Sequence, residues 1–158
     1  MSTINYTQFG LSPRFDLGLD EVNACSVVYE VSLSVVDGQI VLTHVDAKTG
    51  QDYIAVTENC YITVKLLGDQ LYLSKAYDAI TTKEELSSYY GGLVYEDYNE
   101  KLDRYKTVRF QALFNEGGKY GTVHPFNINV DLLQKAADGT VSWTGLSIDP
   151  DIQNPPPR

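Results

Sequence analysis

The stretch CSVVYEVSLSVV, residues 25–36, decides the fold class. Apolar residues occupy every second position in it, and Glu30, Ser32 and Ser34 fall between them. Because successive side chains of a β-strand point to opposite faces, this spacing is typical of a strand with one buried face. That face would hold Val27, Tyr29, Val31, Leu33 and Val35. Asp37-Gly38 follows and is a strong hairpin signal, so we predict that QIVLTHV (39–45) is the antiparallel partner strand.

The same alternation recurs further along the chain, with turn residues between the apolar runs. The clearest later strands are CYITVKLL (60–67), KTVRFQALF (106–114), PFNINVDLLQK (125–135) and TVSWTGLSI (140–148). The last two flank Asp138-Gly139, which predicts a second hairpin. No strand–helix–strand rhythm is visible, so a parallel α/β sheet is not expected. We therefore predict an all-β fold, an antiparallel β-sandwich of immunoglobulin-like or jelly-roll-like type.

One region departs from this regularity. The stretch from Tyr72 to Tyr105 is rich in tyrosine and acidic residues, and it reads as a long excursion from the sandwich. Within it, a capping-box pair, Thr82 and Glu85, precedes Gly91-Gly92. This pattern predicts one short helix between them.

Length and charge limit the classes of function. A chain of 158 residues suits a single domain, 1–158, whose residues 149–158 form a proline-rich C-terminal segment. The formal net charge is −9 and the twelve basic residues form no run, so binding to nucleic acid or to an anionic membrane surface is not expected. No signal peptide is recognisable, which favours the cytoplasm if Met1 is the native start. A mature secreted chain with an added Met would look the same.

The C-terminal segment allows two interpretations. Pro150 has no N–H to donate, so the strand before it must stop at Asp149-Pro150. Ile152 is the one apolar side chain beyond this break and could anchor the segment on the sandwich as an ordered clamp. The alternative is a frayed tail that ends in three prolines.

Motifs for enzyme chemistry are absent from the sequence. There is no glycine-rich phosphate loop that opens a helix and no nucleophile elbow. His44 and His124 read as surface or loop histidines, and no run of ligands suits a metal ion. From the residues alone we therefore predict no catalytic residue, no metal site and no cofactor.

Two cysteines, Cys25 and Cys60, lie beside β-like runs. The simplest interpretation is a pair of core thiols in a reducing compartment. The alternative is a disulfide that joins neighbouring strands.

Tyrosine is the most unusual feature of the composition, with twelve residues. Four of them, Tyr89, Tyr90, Tyr95 and Tyr98, fall in the irregular region and could form a patch that binds a partner or ligand. Strand-rich proteins also use tyrosine freely, so the bland interpretation stays open. Trp143 alternates with Val141 and reads as a core residue.

Several segments together resemble a family of small bacterial proteins labelled "nucleotide synthetase". They are DLGLDEVNACSVVYEVSL (16–33), YIAVTENCYITVKL (53–66), HPFNINVDLLQ (124–134) and SIDPDIQNPPP (147–157). The resemblance spans Phe15 to Pro157 and implies ATP-dependent chemistry. It carries no catalytic residue over to this chain.

The residues themselves favour a function without catalysis. We expect a binding or interaction module that uses its loops and the tyrosine-rich acidic segment, with a second copy, an unknown protein or a glycan as the partner. One alternative is a structural protein that self-assembles through its edge strands. A second alternative is the nucleotide-dependent enzyme that the resemblance implies.

Overall fold

The computed structural model describes residues 17–19, 25–84, 86, 89–118 and 121–156, together with the backbone of 9–10. Among these residues, twelve strands and one short 3-10 helix are present. The strands are β1 (Phe9–Gly10), β2 (Cys25–Val36), β3 (Gln39–Asp46), β4 (Ile54–Ala55), β5 (Cys60–Leu66), β6 (Leu71–Leu73), β7 (Ile80–Thr82), β8 (Tyr90–Asn99), β9 (Arg104–Ala112), β10 (Val123–Lys135), β11 (Val141–Ile148) and β12 (Asp151–Gln153). The 3-10 helix comprises Glu116–Gly118. The predicted all-β class is confirmed.

The strands form two sheets. One has the order β3-β2-β5-β9-β8, and the other has β10 at its centre with β7, β6, β12 and β11 as neighbours. A shared core of apolar side chains from both sheets lies between them, which makes a two-layer sandwich. Pairing is mostly antiparallel, but β2 pairs with β5 in parallel and so does β12 with β4, so both sheets are mixed.

Both hairpins predicted from an Asp-Gly pair are confirmed. Asp37 and Gly38 take φ values of 51° and 77°. Positive φ at both central residues is the backbone conformation that matches the twist of a two-residue hairpin. The turn therefore follows from local chemistry, as the sequence indicated.

The tyrosine-rich excursion is more regular than we expected, because much of it forms β8 and β9. The helix predicted between Thr82 and Gly91 falls partly on residues 85, 87 and 88, which lie outside the described part of the chain. Both of its predicted ends are strand residues, since Thr82 closes β7 and Gly91 lies in β8. Gly92, at φ 63°, occupies a register shift in β8, where an added Cβ would lie 2.7 Å from Gln111 Nε2. The glycine pair therefore serves close strand packing.

Residues 149–156 of the C-terminal segment are ordered, and in this part the clamp interpretation is confirmed. The strand β11 ends at Ile148, as the proline predicted, and β12 then pairs with β10 and β4. Ile152 is almost completely buried in the shared core. Residues 157 and 158 lie outside the described part, so the structure says nothing of the last proline.

Within the described residues, no helix has the length and apolar character needed to cross a lipid bilayer.

Candidate functional site

Two groups of polar and aromatic side chains are joined by hydrogen bonds and ring contacts. We call the first the Arg104 cluster; it comprises Lys75, Arg104, Lys106, Asp131, Tyr72 and Trp143. We call the second the His124 cluster; it comprises Tyr89, Tyr90, Asn115, His124 and Asn154.

Strand β9 supplies two cations of the Arg104 cluster by simple alternation. Arg104 and Lys106 precede the fully buried residues Val108, Phe110 and Ala112 at a spacing of two. Alternate residues of a strand share a face. The face that fills the core is therefore extended by two cationic side chains at the N-terminal end of the strand.

Asp131 of β10 holds the Arg104 guanidinium in place. Its Oδ2 accepts a hydrogen bond from Arg104 Nε at 2.9 Å and one from the backbone N–H of Lys75 at 3.2 Å. Arg104 Nη1 donates to the carbonyl oxygen of Leu102 at 3.0 Å. The Arg104 and Asp131 side chains are only 13% and 11% exposed, so their ion pair is largely screened from water. Arg104 Nη2 makes no hydrogen bond within the described part of the chain.

Two aromatic rings, those of Tyr72 and Trp143, lie against the cations of the Arg104 cluster. The Arg104 guanidinium carbon lies 3.6 Å from the centre of the Trp143 ring, and Lys106 Nζ lies 4.5 Å from that of Tyr72. Tyr72 and Trp143 are edge to face at 5.7 Å. The sheet register explains why the two rings lie near Asp131. Tyr72 is the Cα partner of Asp131, and Trp143 is the Cα partner of Leu133, two residues further along β10. Partners at this spacing project from one face of a sheet.

Lys106 is fixed by backbone carbonyls as well as by the ring. Its Nζ donates to the carbonyl oxygens of Gly68 and, at 2.7 Å, of Leu71. Burial lowers the pKa of Lys106, and the nearby carboxylate of Asp69 acts in the opposite direction. The result is a partly desolvated ammonium with a defined position.

An exposed rim, which comprises Tyr98, Asp103 and Tyr105, adjoins the Arg104 cluster. Lys75 Nζ forms an ion pair with Asp103 Oδ2, and the Tyr98 hydroxyl donates to Asp103 Oδ1 at 2.5 Å. The hydrogen bonds from Lys75 and Tyr98 lower the pKa of Asp103, and the charges of Lys75 and Arg104 act in the same direction. Tyr98 packs against Tyr105 with ring centres 4.9 Å apart. The rim therefore connects an exposed tyrosine pair to the cations of the Arg104 cluster.

Hydrogen bonds join His124, Tyr90 and Asn154 in the His124 cluster. His124 Nε2 lies 3.2 Å from the carbonyl oxygen of Gly121, which can only accept, so this nitrogen carries the proton. His124 Nδ1 then accepts from the Tyr90 hydroxyl at 2.6 Å, and that oxygen accepts from Asn154 Nδ2 at 3.1 Å. Burial lowers the pKa of His124, so the ring is neutral at pH 7.

Asn154 connects this network to the C-terminal strand. Its Oδ1 accepts from the backbone N–H of Asn115 at 2.7 Å, and its Nδ2 also donates to the carbonyl oxygen of Leu113 at 2.9 Å. His124 is 2% exposed, and Tyr90 and Asn154 are fully buried. The prediction of a surface or loop histidine at His124 is therefore wrong. The cluster fastens β12 to the core through side chains of His124, Tyr90 and Asn154 that are buried.

The four tyrosines that we singled out do not form one patch. Tyr89 and Tyr90 belong to the His124 cluster, where Tyr90 is fully buried and Tyr89 stacks on His124 at 6.2 Å. Tyr95 is half-buried and its hydroxyl accepts from the backbone N–H of Ala79 at 3.1 Å. Tyr98 lies in the rim and is 48% exposed. Only Tyr98 adjoins the Arg104 cluster and also presents a large exposed ring.

Cys25 and Cys60 are Cα partners on the parallel strands β2 and β5, and both are free thiols. Cys60 is buried, and burial raises the pKa of its thiol to about 12, with the Cys25 and Glu58 charges acting in the same direction. A thiol in this environment is inert at neutral pH. The disulfide between these two residues stays a prediction.

Sequence reasoning missed every member of the Arg104 cluster as a site residue. A signal was present, because Arg104 and Lys106 continue the alternation of Val108 and Phe110 and so place charges on a core-facing side. Trp143 packs against a guanidinium and is only partly buried, where we predicted a core residue. Within the described residues, no group of His, Cys, Asp and Glu side chains is arranged to hold a metal ion.

Comparison with known families gives one match. The model of a family described as "predicted novel nucleotide synthetase" matches residues 1–157. The chain belongs to this family. The match confirms the resemblance drawn from the sequence segments, and no curated protein matches the chain significantly.

This membership corrects our functional prediction. The prediction of a binding or interaction module without catalysis is wrong, because the family description points to an enzyme. The expectation that the chain is not an enzyme is wrong for the same reason. The self-assembling alternative gains no support either. The prediction depended on the absence of a contiguous phosphate-binding motif. A site that is assembled from residues far apart in the sequence contains no such motif.

Proposed function

We propose that the protein is an enzyme of nucleotide metabolism that binds its nucleotide at the Arg104 cluster and the adjoining rim. The family description supports the reaction class. The observation that carries the location is the Arg104 guanidinium, which is stacked on Trp143, held by Asp131 and left, among the described residues, with no hydrogen bond at Nη2.

The chemistry of a nucleotide explains why this location is favoured. Phosphate groups need fixed donors and positive charge, and a guanidinium presents planar N–H pairs that fit phosphate oxygens. The stack on Trp143 and the hydrogen bond to Asp131 hold Arg104 before any ligand arrives, so little conformational entropy is lost on binding. Lys75 and Lys106 add two more positive charges beside it.

The charge balance of the whole chain makes this grouping notable. The formal net charge is −9, so most of the surface repels an anion. Three of the twelve basic residues nevertheless meet in and beside one largely buried ion pair. A site of this kind accepts a small anionic molecule, while a long polyanion would still meet repulsion from the rest of the molecule.

The rim can supply contacts to the base. Tyr98 and Tyr105 are 48% and 38% exposed, and their packed rings offer flat apolar surface. Nucleotide bases stack on such rings with about 1–3 kcal/mol per base. In the proposed arrangement the phosphates contact Lys75 and Arg104, and the base lies against the tyrosine pair.

Fixed cations would also serve the chemistry of nucleotide synthesis. Charge moves between phosphate oxygens in phosphoryl and nucleotidyl transfer, and preorganised donors in a partly dry site stabilise that charge. Lys106 and Arg104 meet this description because their positions are set by protein atoms. The expected compartment is the cytoplasm, where nucleotides are available.

Titration calorimetry with ATP and magnesium tests the proposal, with Arg104→Gln as the variant. Removing a charge-assisted hydrogen bond of about 1.5–3 kcal/mol should weaken ATP binding by at least about tenfold. Consumption of ATP, measured in parallel, should fall in the same variant.

Arg109→Gln is the matched control. Arg109 lies on the same strand and its guanidinium carbon is 5.0 Å from the centre of the Tyr61 ring, so it repeats the cation–aromatic contact away from Asp131. ATP affinity should stay at the wild-type value in this variant. Equal losses in both variants, or no ATP binding by the wild-type protein at millimolar concentration, would refute the proposed site.

A further inference from the structure

The rim contains a carboxylate in the place where a phosphate would be expected. Asp103 directly precedes Arg104 in the chain, and its Oδ2 contacts Lys75 Nζ. The backbone N–H of Lys75 and Arg104 Nε share one acceptor, Oδ2 of Asp131, so the backbone of Lys75 lies beside the Arg104 side chain. Asp103 is thus an anion that contacts the Lys75 ammonium and adjoins Arg104 in the chain.

Local structure holds this carboxylate in position. Asp103 closes the turn between β8 and β9 with φ 54°, in the left-handed region that aspartate tolerates better than most residues. Its other oxygen, Oδ1, accepts from the Tyr98 hydroxyl. The Asp103 carboxylate therefore contacts both Tyr98, which belongs to the proposed contact surface for the base, and Lys75, a proposed phosphate-binding cation.

The surroundings show that this contact can be exchanged. The Lys75 and Asp103 side chains are each 56% exposed, unlike the Arg104–Asp131 pair. Exposed ion pairs contribute little stability, because both partners are well solvated when they separate. A phosphate can take the place of Asp103 on Lys75 without leaving a buried charge behind.

We propose that Asp103 competes with the nucleotide phosphate for Lys75, and so sets the affinity of an anion subsite formed by Lys75 and Arg104. This inference rests on the proposed function for its ligand, and it adds the subsite, its chemical class and the residue that limits its affinity. Binding moves the Lys75 ammonium from carboxylate to phosphate, and Asp103 turns to solvent. No covalent bond changes.

The experiment measures the affinity for inorganic pyrophosphate by titration calorimetry, with ATP in a second series. The variant Asp103→Asn keeps the shape and removes the charge. Since an exposed pair is worth only a fraction of a charge-assisted buried contact, pyrophosphate should bind roughly two- to fivefold more tightly. The gain should shrink in about 1 M salt, where charges are screened within ~3 Å.

One control separates competition from a general loss of negative charge. Asp138→Asn also removes one negative charge, but Asp138 is bonded to Thr140 in the turn between β10 and β11. This variant should bind pyrophosphate as the wild type does. The inference is overturned if Asp103→Asn leaves the affinity unchanged or lowers it, or if Asp138→Asn reproduces the gain.

The outcomes also distinguish this inference from the proposed function. Loss of ATP binding in Arg104→Gln, with no gain in Asp103→Asn, would refute the competition and support the nucleotide site. A gain in pyrophosphate affinity in Asp103→Asn, with no binding of ATP by any variant, would support the anion subsite and refute the nucleotide.

Discussion

The Arg104 cluster and the His124 cluster both combine polar and aromatic side chains, and they differ in how their polar groups are buried and bonded. In the His124 cluster both ring nitrogens, the Tyr90 hydroxyl and the Asn154 amide have partners, and the ring is 2% exposed. In the Arg104 cluster, Arg104 Nη2 makes no hydrogen bond to any described residue, and Lys75 has an exchangeable partner at the surface. Buried groups that are bonded to one another stabilise a fold, whereas donors near solvent are available to a ligand.

The largest expected effect comes from removing the segment that the His124 cluster holds. Deleting residues 149–158 eliminates β12, the buried Ile152 side chain and the Asn154 hydrogen bonds. Loss of a buried isoleucine alone costs about 2–5 kcal/mol, so the free energy of unfolding should fall by at least about 4 kcal/mol. Denaturant titration measures it.

Asn154→Ala is the milder version of the same change. It leaves Ile152 in place and should lower the free energy of unfolding by roughly 2–4 kcal/mol, because several buried groups lose their partner. ATP binding by the protein that remains folded should be unaffected. A selective loss of ATP binding at full stability would move the functional site to the His124 cluster.

A second prediction concerns the ion pair at the centre of the Arg104 cluster. Asp131→Asn removes the counter-charge of a guanidinium that is only 13% exposed. We expect the free energy of unfolding to fall by about 2–4 kcal/mol, less than for a fully buried pair because some water reaches both groups. Thermal and denaturant unfolding measure the change. Asp138→Asn, which removes an exposed carboxylate, should change stability by less than about 1 kcal/mol.

Asp131→Asn also separates structure from function at this cluster. The variant keeps an oxygen that can accept a hydrogen bond from Arg104, but it has lost the negative charge that holds the guanidinium in place. If the cluster were purely structural, stability would fall while the affinity for ATP, measured on the folded protein, stayed the same. We expect both to fall.

The smallest predicted effect is a pH dependence from His124. Burial lowers the pKa of His124 in the folded state, so below neutral pH the unfolded chain binds the proton more readily. Stability is therefore complete above the ordinary histidine pKa and is lost as pH falls through it towards the folded value. The slope is limited to about 1.4 kcal/mol per pH unit, the value for one proton.

Unfolding measured from pH 7.5 to pH 5 checks this sign in the wild type and in His124→Gln. The variant should be less stable at pH 7.5 and should lose less of its remaining stability on acidification. His44→Gln is the control for the other histidine of the chain. An identical pH dependence in wild type and His124→Gln would show that His124 does not carry the effect.

The fold was largely predictable because its signals are local. Alternation along residues 25–36 and the two Asp-Gly turns lie within a few residues of one another, and strand period and turn geometry are set at that range. The parallel pairing of β2 with β5 was not predictable, since β3 and β4 intervene between them and no local feature encodes which strand lies next. Gly91-Gly92 was misread because a glycine pair can end a helix or permit a bulge.

The sequence by itself determined an acidic all-β chain with two Asp-Gly hairpins and a strand end at Pro150. These features depend on backbone geometry and burial of neighbouring residues. Only the tertiary structure decided that Arg104, Asp131 and Trp143 meet, because Asp131 and Trp143 lie on paired strands of one sheet and Arg104 comes from β9 of the other sheet. It also decided that His124 is sealed and that Asp103 faces Lys75, since burial and charge pairing depend on contacts made across the chain.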